Sequence, residues 1–566
     1  MCGIFFSARL NDAPGASIFE EISQKLQNAN STRGPDSQGL YRASVACAPD
    51  SPSPTTPHAF SLEFYASELR LRGDRIIVQP HEKDGDVLCW NGEIFDGMEI
   101  SPQENDGVCL FDKLRTLETP EQIRDLFGSI EGPYAFIYYQ ANSRRLLFSR
   151  DPLGRRSLLI HKPSQVAPYL LLASVSAGVD SRYEFEELPT NHIYCLTFSH
   201  AHLNFQEVFN SYLISLPRLS SFPDAPTTPF AEPSQVNTIL PPHEYIPQIE
   251  SLGEVPEYLV KTVDDLIYHL DQSVMLRVRD IPQRSHVPIA EPIDLLNVAF
   301  ENPRKIKLEA EGNTGGLSKK QKKARSKAGP SVEQPSVSYN VPDRITGLQE
   351  VEELRRLCPD RVWNFVEINV PYEESQGARQ TVESLMSPGR TVMDLVRQSL
   401  AIALYFASRG VGQIRSSPGA DPEPYTSGAR VLLNGLGSDE LLGGYGRHRT
   451  AYNTGGWQAV IDELQLEIDR IPTRNLGRDD RVISSHGKET RHPFLSLTVL
   501  EYLAKLPVHY KMDPRLEIGF GDKMLLRLAA WKLGLIGASQ RKKRAMQFGS
   551  HSARMGGERR GDAILE

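Results

Sequence analysis

At 566 residues, 40% of them apolar and 24% charged, the chain is too long for one ordinary core and reads as a folded globular protein of two or more domains. A formal net charge of -8 argues against a general nucleic-acid binder, which needs Lys and Arg clustered on a basic face. The six cysteines are scattered without a CxxC pair, and no apolar run reaches the ~18 residues of a membrane span. These features predict a reducing, cytoplasmic setting without a disulfide frame, a zinc knuckle or a membrane anchor.

The chain opens Met1-Cys2-Gly3-Ile4. Trimming Met1 leaves Cys2 with a thiol (pKa ~8.5) and a free α-amine (pKa ~8), a nucleophile beside its own base, with a fraction of thiolate at neutral pH. A buried half-strand cysteine is the plainer reading of the same residue. Ile4-Phe5-Phe6 predicts a buried strand, and Ile18, Phe19, Ile22 and Leu26 one face of a helix. Arg33-Gly34-Pro35-Asp36-Ser37 reads as a turn, and residues 49–57 as an exposed proline-rich loop. Leu69-Arg70-Leu71-Arg72-Gly73 alternates like a strand with two cations on one face. Val87-Leu88-Cys89-Trp90 predicts a strand running into Asn91-Gly92-Glu93-Ile94-Phe95. Asn91-Gly92 fits a plain hairpin turn, or an amide and a backbone N–H aimed together at a developing oxyanion. Asp106, ahead of a helix over Val108 to Leu114, fits an N-cap or a group holding a substrate ammonium. Tyr134 to Tyr139 and Arg144 to Ser149 predict paired strands, followed by Arg150-Asp151-Pro152-Leu153-Gly154-Arg155-Arg156.

In order and spacing, Met1-Cys2-Gly3-Ile4, Arg33-Gly34-Pro35-Asp36, Asn91-Gly92-Glu93-Ile94-Phe95, Glu131-Gly132 with Ala135-Phe136, and Arg150 to Arg155 resemble class II glutamine amidotransferase domains. The resemblance implies an α+β N-terminal-nucleophile fold, a four-layer αββα sandwich, over residues 1–198. It implies Cys2 as nucleophile on the side-chain amide of glutamine, Asn91 and Gly92 as oxyanion donors, and Asp106 on the glutamine amino group. Glu93 belongs to the same site, and Arg70 or Arg72 takes the substrate carboxylate, although the sequence around these two departs from the family pattern.

Residues 199–256 are rich in Ser and Pro and predict a linker. Beyond it, Val260, Val263, Leu266, Ile267, Leu270, Val274 and Val278 mark an amphipathic helix expected to pack on a sheet. Ile293 to Phe300 predicts a buried strand. Residues 304–330 form an insert with a basic run, Lys319 to Arg325, usually a solvated loop. Val362 to Val370, a helix from Val392 to Phe406, and the strand Val431-Leu432-Leu433 continue an α/β alternation over residues 257–566. The last strand opens into Asn434-Gly435-Leu436-Gly437-Ser438-Asp439-Glu440, a glycine-rich loop of the kind that brings backbone N–H groups and a carboxylate to a phosphate.

This loop resembles the synthetase half of glutamine-dependent asparagine synthetases, as do Arg474 to Arg481, Gly487 to Leu495 and Gly521 to Arg527. Pro292 to Phe300, Val341 to Gly347 and Lys543 to Gly549 are similar to a divergent branch of that family. The resemblance implies an adenine-nucleotide α-hydrolase-like (PP-loop ATP pyrophosphatase) domain that uses ATP and Mg2+ and passes ammonia to activated aspartate. It places Gly437, Ser438 and Lys523 on the nucleotide and Asp439 on the metal. The family's SGGxDS loop, with its flanking strand and helix, belongs between the helix ending near Val278 and the strand starting at Ile293. Arg279 to Pro292 leaves no room for it, Leu436 stands where the family has glutamate, and Ser496 where it has aspartate. A segment missing from the coding sequence would give the same gap, and transcript sequencing across Arg279 to Ile293 decides that point. Three functions stay open on the sequence: a glutamine-dependent asparagine synthetase-like amidotransferase, a glutaminase with a silent second half, and a non-enzymatic scaffold retaining both folds.

Overall fold

The computed structural model describes residues 2–12, 15–46, 59–198, 204–221, 226–242, 249–281, 291–301, 339–388 and 393–553. The proline-rich loop and the basic insert lie outside these residues. The chain forms two compact units, one of Met1–Val287, Ser384–Pro388 and Ala429–Lys543, the other of Pro288–Glu383, Gly389–Gly428 and Arg544–Glu566. They do not follow the expected division near residue 256, because the 429–543 segment belongs with the N-terminal part.

Twelve strands of the first unit are β1 (Gly3–Leu10), β2 (Ser37–Ala46), β3 (Ala59–Glu68), β4 (His81–Lys83), β5 (Asp86–Gly92), β6 (Tyr134–Gln140), β7 (Arg145–Arg150), β8 (Leu159–His161), β9 (Tyr169–Ala173), β10 (Glu186–Glu187), β11 (His192–Thr197) and β12 (Leu213–Pro217). They form two six-stranded sheets, ordered β10-β8-β9-β1-β3-β2 and β12-β11-β7-β6-β5-β4. The alternation of side chains along each strand builds the layers. In β1, Ile4, Phe6 and Ala8 point between the sheets, while Phe5 packs with Phe19, Ile22 and Leu26 of the helix Ala16–Ser31. In β6, Ala135, Ile137 and Tyr139 fill the same central layer, and Tyr134, Phe136 and Tyr138 pack under the helices Asp106–Leu114 and Pro120–Gly128. The result is the expected αββα sandwich.

Several local expectations change. Ile18 is 51% exposed, so the buried face of the first helix starts at Phe19. β3 ends at Glu68, and Leu69 to Gly73 is not a strand: Leu69 and Leu71 are both buried, and the chain bends to send its two arginines to different partners. β12 pairs with β11, so the second sheet continues past residue 198 into the predicted linker.

In the second unit, β13 (Ile293–Phe300) and β14 (Trp363–Val370) pair in parallel, with Ile293 opposite Trp363 and Phe300 opposite Val370. β15 (Val411–Ile414) and β16 (Glu423–Thr426) complete the sheet in antiparallel order. Arg344, on the helix Pro342–Leu357, fixes that helix to both parallel strands through Asn297 Oδ1 (2.6 Å) and Glu367 (3.3 Å). β13 is less buried than its composition predicts, with Ile293 39% exposed and β14 its one neighbour among the described residues.

Back in the first unit, β17 (Val431–Leu433) runs parallel to β18 (Glu489–Arg491) as a two-stranded sheet. The helix Glu257–Val278 packs chiefly on other helices and not on a broad sheet among the described residues. Its Leu259, Val263 and Leu266 enter a helical core with Leu464, Leu500, Leu503, Leu525 and Leu528, and Val260 is exposed. Among the described residues the α/β alternation yields a four-stranded sheet in one unit and a two-stranded sheet in the other.

Candidate active site

Cys2 precedes β1 and is 6% exposed. Its backbone N donates to Asn91 Oδ1 at 3.0 Å, and its carbonyl accepts from Arg33 Nε at 3.2 Å. Gln79 Nε2 lies 3.5 Å from Sγ, while Gln79 Oε1 accepts from the Trp90 amide at 2.9 Å. The site thus forms where β1 of one sheet meets β5 of the other. Burial pushes the Cys2 thiol up to about 12, so the thiolate fraction expected from an unperturbed cysteine is lost, and a base is needed to take the proton. Removal of Met1 turns the nitrogen that contacts Asn91 into a free α-amine beside the thiol.

Asn91 is the penultimate residue of β5, with its Nδ2 at 3.5 Å from Ser174 Oγ. At Gly92 a Cβ would sit 2.6 Å from the Trp90 ring and 2.9 Å from the Pro133 carbonyl, so only glycine fits. The N-cap of the helix Asp106–Leu114 is Asn105, whose side chain accepts from the Val108 amide at 3.3 Å. This frees the Asp106 carboxylate, which turns inward to accept from Trp90 Nε1 (3.3 Å) and the Ile94 amide (3.0 Å). Burial raises Asp106 above its ordinary value, with Arg72 opposing.

Arg72 donates to the Ile94 carbonyl and reaches Asp280 at 3.4 Å. Arg70 turns away, its guanidinium on the Asp74 carbonyl at 3.0 Å and its amide on Asp36 at 2.8 Å. Cys2, Asn91, Gly92, Glu93, Arg72 and Asp106 therefore converge, and Arg70 does not. A cavity of about 550 Å³ opens beside Arg72, lined also by Phe95, Asp96, Met98, Ser101 and Arg279.

Sequence reasoning missed Gln79, which no local pattern marks, and Glu68. The β1–β3 register sets Gly3 opposite Ser67, with the Gly3 amide on Ser67 Oγ at 3.1 Å, so Glu68 falls across from Cys2. Burial pushes Glu68 up to about 7, with Ser37 Oγ donating to it at 3.1 Å.

The site is tied to the C-terminal segment by buried ion pairs. Arg33, which holds the Cys2 carbonyl, pairs with Asp480 at 2.8 Å. Asp480 lies 3.5 Å from Arg156, which pairs with Glu489 at 2.8 Å. Glu489 pairs with Arg491 at 2.5 Å, and Arg491 with Glu93 at 3.2 Å. The series starts at the partner of the Cys2 carbonyl and returns to the residue following Gly92. Burial alone would raise Glu489, but Arg156 and Arg491 outweigh it and hold that carboxyl well below the usual range. Burial dominates at Glu93, pushing it up to about 8 against Arg491.

The second predicted site is assembled differently. Leu433 is opposite Arg491 in the β17–β18 register, and the Asn434 amide donates to the Arg491 carbonyl at 3.1 Å, which sets where the loop leaves the sheet. Gly437 has φ +98°, and a Cβ there would meet Leu495 at 2.5 Å. Asp439 is paired with Lys523 at 2.7 Å and Lys543 at 3.3 Å, and Lys523 also donates to Ser438 Oγ at 3.0 Å. Leu436 packs on the helical core. Gly437, Ser438, Asp439 and Lys523 are thus together, but this donor set does not fit a divalent metal. One carboxylate is already countered by two ammonium groups, the Leu436 side chain offers no oxygen, and no cluster of three His, Cys, Asp or Glu suited to a metal occurs among the described residues.

The asparagine synthase family profile matches residues 450–560. The chain is 32% identical to human asparagine synthetase domain-containing protein 1 over 636 aligned positions, covering 98% of this chain and 95% of the relative. That alignment is longer than the 566-residue chain and so carries gaps in it. The protein of the same name from Bos taurus is 34% identical, with 92% of this chain and 91% of the relative covered. Among solved structures, glutamine phosphoribosylpyrophosphate amidotransferase from B. subtilis, complexed with ADP and GMP, matches 38% of this chain and 49% of its own at 15% identity and a TM-score of 0.25. No helix among the described residues is long and apolar enough to cross a membrane.

Proposed function

Because the chain belongs to the asparagine synthetase domain-containing protein 1 family, asparagine synthetase-like amidotransferases, we propose that it hydrolyses glutamine at Cys2. The observation that carries this reading is the 3.0 Å contact between the Cys2 nitrogen and the Asn91 carboxamide, which sets the future amine, the thiol and an oxyanion donor in one buried site. The free amine of Cys2 takes the Sγ proton, and the thiolate attacks the side-chain carbonyl carbon of glutamine. Asn91 Nδ2 and the Gly92 amide stabilise the oxyanion. The amine returns the proton to the leaving nitrogen, ammonia departs, and water hydrolyses the thioester to glutamate. Asp106 takes the substrate ammonium, and Arg72 is the nearer of the two arginines for its carboxylate.

The family also suggests transfer of this ammonia to aspartate activated by ATP with Mg2+, at Gly437, Ser438, Asp439 and Lys523. The pairing of Asp439 with two lysines favours the narrower reading of a glutaminase whose second half makes no asparagine. Purified protein with a processed N-terminus, given glutamine, aspartate and Mg-ATP beside Cys2→Ala, tests both. Ammonia lost in the variant supports glutamine hydrolysis, and asparagine formation would extend the activity to the ligase step. Neither product would leave the scaffold reading.

A further inference from the structure

Arg491 lies in β18, far in sequence from the glutaminase residues, yet its guanidinium is 3% exposed and faces them. It pairs with Glu489 and Glu93 and donates to the Arg277 carbonyl. Arg491 and Arg277 lie 5.4 and 4.7 Å from the Phe95 ring centroid. Glu93 and Phe95 continue the chain from Asn91-Gly92, so the end of β5 is gripped from the C-terminal segment at two side chains. Glu93 itself is in the tight corner where a Cβ on Gly132 would stand 1.8 Å from its carbonyl oxygen, so a shift of Arg491 passes to the backbone. On its other side Arg491 is the hydrogen-bonded neighbour of Asn434, the first residue of the loop that carries Ser438 and Asp439.

We infer that Arg491 is a positioning residue for glutamine hydrolysis: through Glu93 it sets the Asn91-Gly92 donors, and from β18 it makes the glutaminase geometry depend on the segment that holds the Asn434–Glu440 loop. This rests on the glutaminase reading of Cys2. Lysine cannot replace the planar fork that spans Glu489 and Glu93 at once. Glu93→Gln removes one charge while leaving the Arg491–Glu489 pair intact, which guards against a variant that fails to fold.

The test compares full-length, N-terminally processed wild type with Arg491→Lys, Glu93→Gln and the double variant. Misplaced donors lower kcat for ammonia release about 10- to 100-fold, with KM for glutamine held within about threefold. The double variant should be no worse than the poorer single, since both act on one contact. Alkylation of Cys2 by iodoacetamide, followed by peptide mass spectrometry with buried Cys89 as reference, should change rate in Arg491→Lys. Wild-type kcat with an unchanged Cys2 alkylation rate in Arg491→Lys would overturn the inference, as would losses that multiply in the double variant. If the wild type releases no ammonia, the glutaminase reading fails by itself. The alkylation comparison then decides separately whether Arg491 shapes the surroundings of Cys2: a changed rate upholds that link, and an unchanged rate removes it.

Discussion

Replacing Asp480 with Asn removes one charge from the centre of the ion-pair series without changing its shape. Asp480 is fully buried, accepts from Arg33 at 2.8 Å and from the Ser157 amide at 3.1 Å, and lies beside Arg156. Arg156 keeps Glu489, so the main loss is the carboxylate that neutralises Arg33. Breaking a buried pair from one side costs about 3–5 kcal/mol, because a desolvated charge is left without its counter-charge. The exposed pair Lys261–Asp265 supplies the contrast, with side chains 86% and 39% exposed. Asp265→Asn removes the same charge at a cost of about 0.3–0.5 kcal/mol. With a urea slope of about 2–3 kcal/mol per molar, the midpoint should fall by roughly 1–2.5 M for Asp480→Asn and by ~0.2 M for Asp265→Asn. Tryptophan fluorescence during urea titration reads both. Equal midpoints for the two variants would refute the argument, since they would mean that water reaches Asp480 as freely as it reaches Asp265.

Other outcomes follow from single contacts. Gly132→Ala drives a methyl group into the Glu93 carbonyl and should destabilise by about 1–3 kcal/mol while sharply lowering ammonia release, measured by urea midpoint and glutamine turnover. Glu68 is raised from 4.5 to about 7, so its protonated form favours the folded state: its contribution is complete below pH 4.5 and is lost by pH 7. Glu68→Gln should therefore gain stability relative to wild type across that window, read as urea midpoints at pH 5 and 8. Lys511, buried with its Nζ on the Leu503 carbonyl at 2.9 Å, is lowered from 10.5 to about 7. The unfolded chain binds the extra proton between those values, so wild-type stability rises from pH 7 to 10.5, and Lys511→Met should flatten that rise.

The sandwich was legible through the family resemblance that its short motifs carry, while the apolar runs of β1 and β6 marked single strands and not the layers between which their side chains alternate. Cys2, Asn91, Gly92 and Asp106 were legible because their chemistry is local to short motifs. Gln79 and Glu68 were not, since each acts across a strand pairing that only the folded register defines. Arg70 and Arg72 looked equivalent in an alternating stretch, and the bend after Glu68 separated them. Val260 to Val278 has the period of an amphipathic helix but nothing in that period tells a sheet from a bundle of helices as its partner. The split of the α/β alternation into β13–β14 and β17–β18 was hidden for the same reason: strand residues announce a strand, not its neighbours.

The pairing of Arg33 with Asp480 spans 447 residues of sequence, and that distance is also a delay. At roughly 5–20 residues per second, a ribosome needs on the order of 20–90 s after making Arg33 before Asp480 exists. Throughout that interval Cys2 and Arg33 exist without the carboxylate that neutralises Arg33 in the folded protein. The chain thus makes Cys2 and Arg33 at its start and receives the Asp480 carboxylate that pairs with Arg33 only near its end.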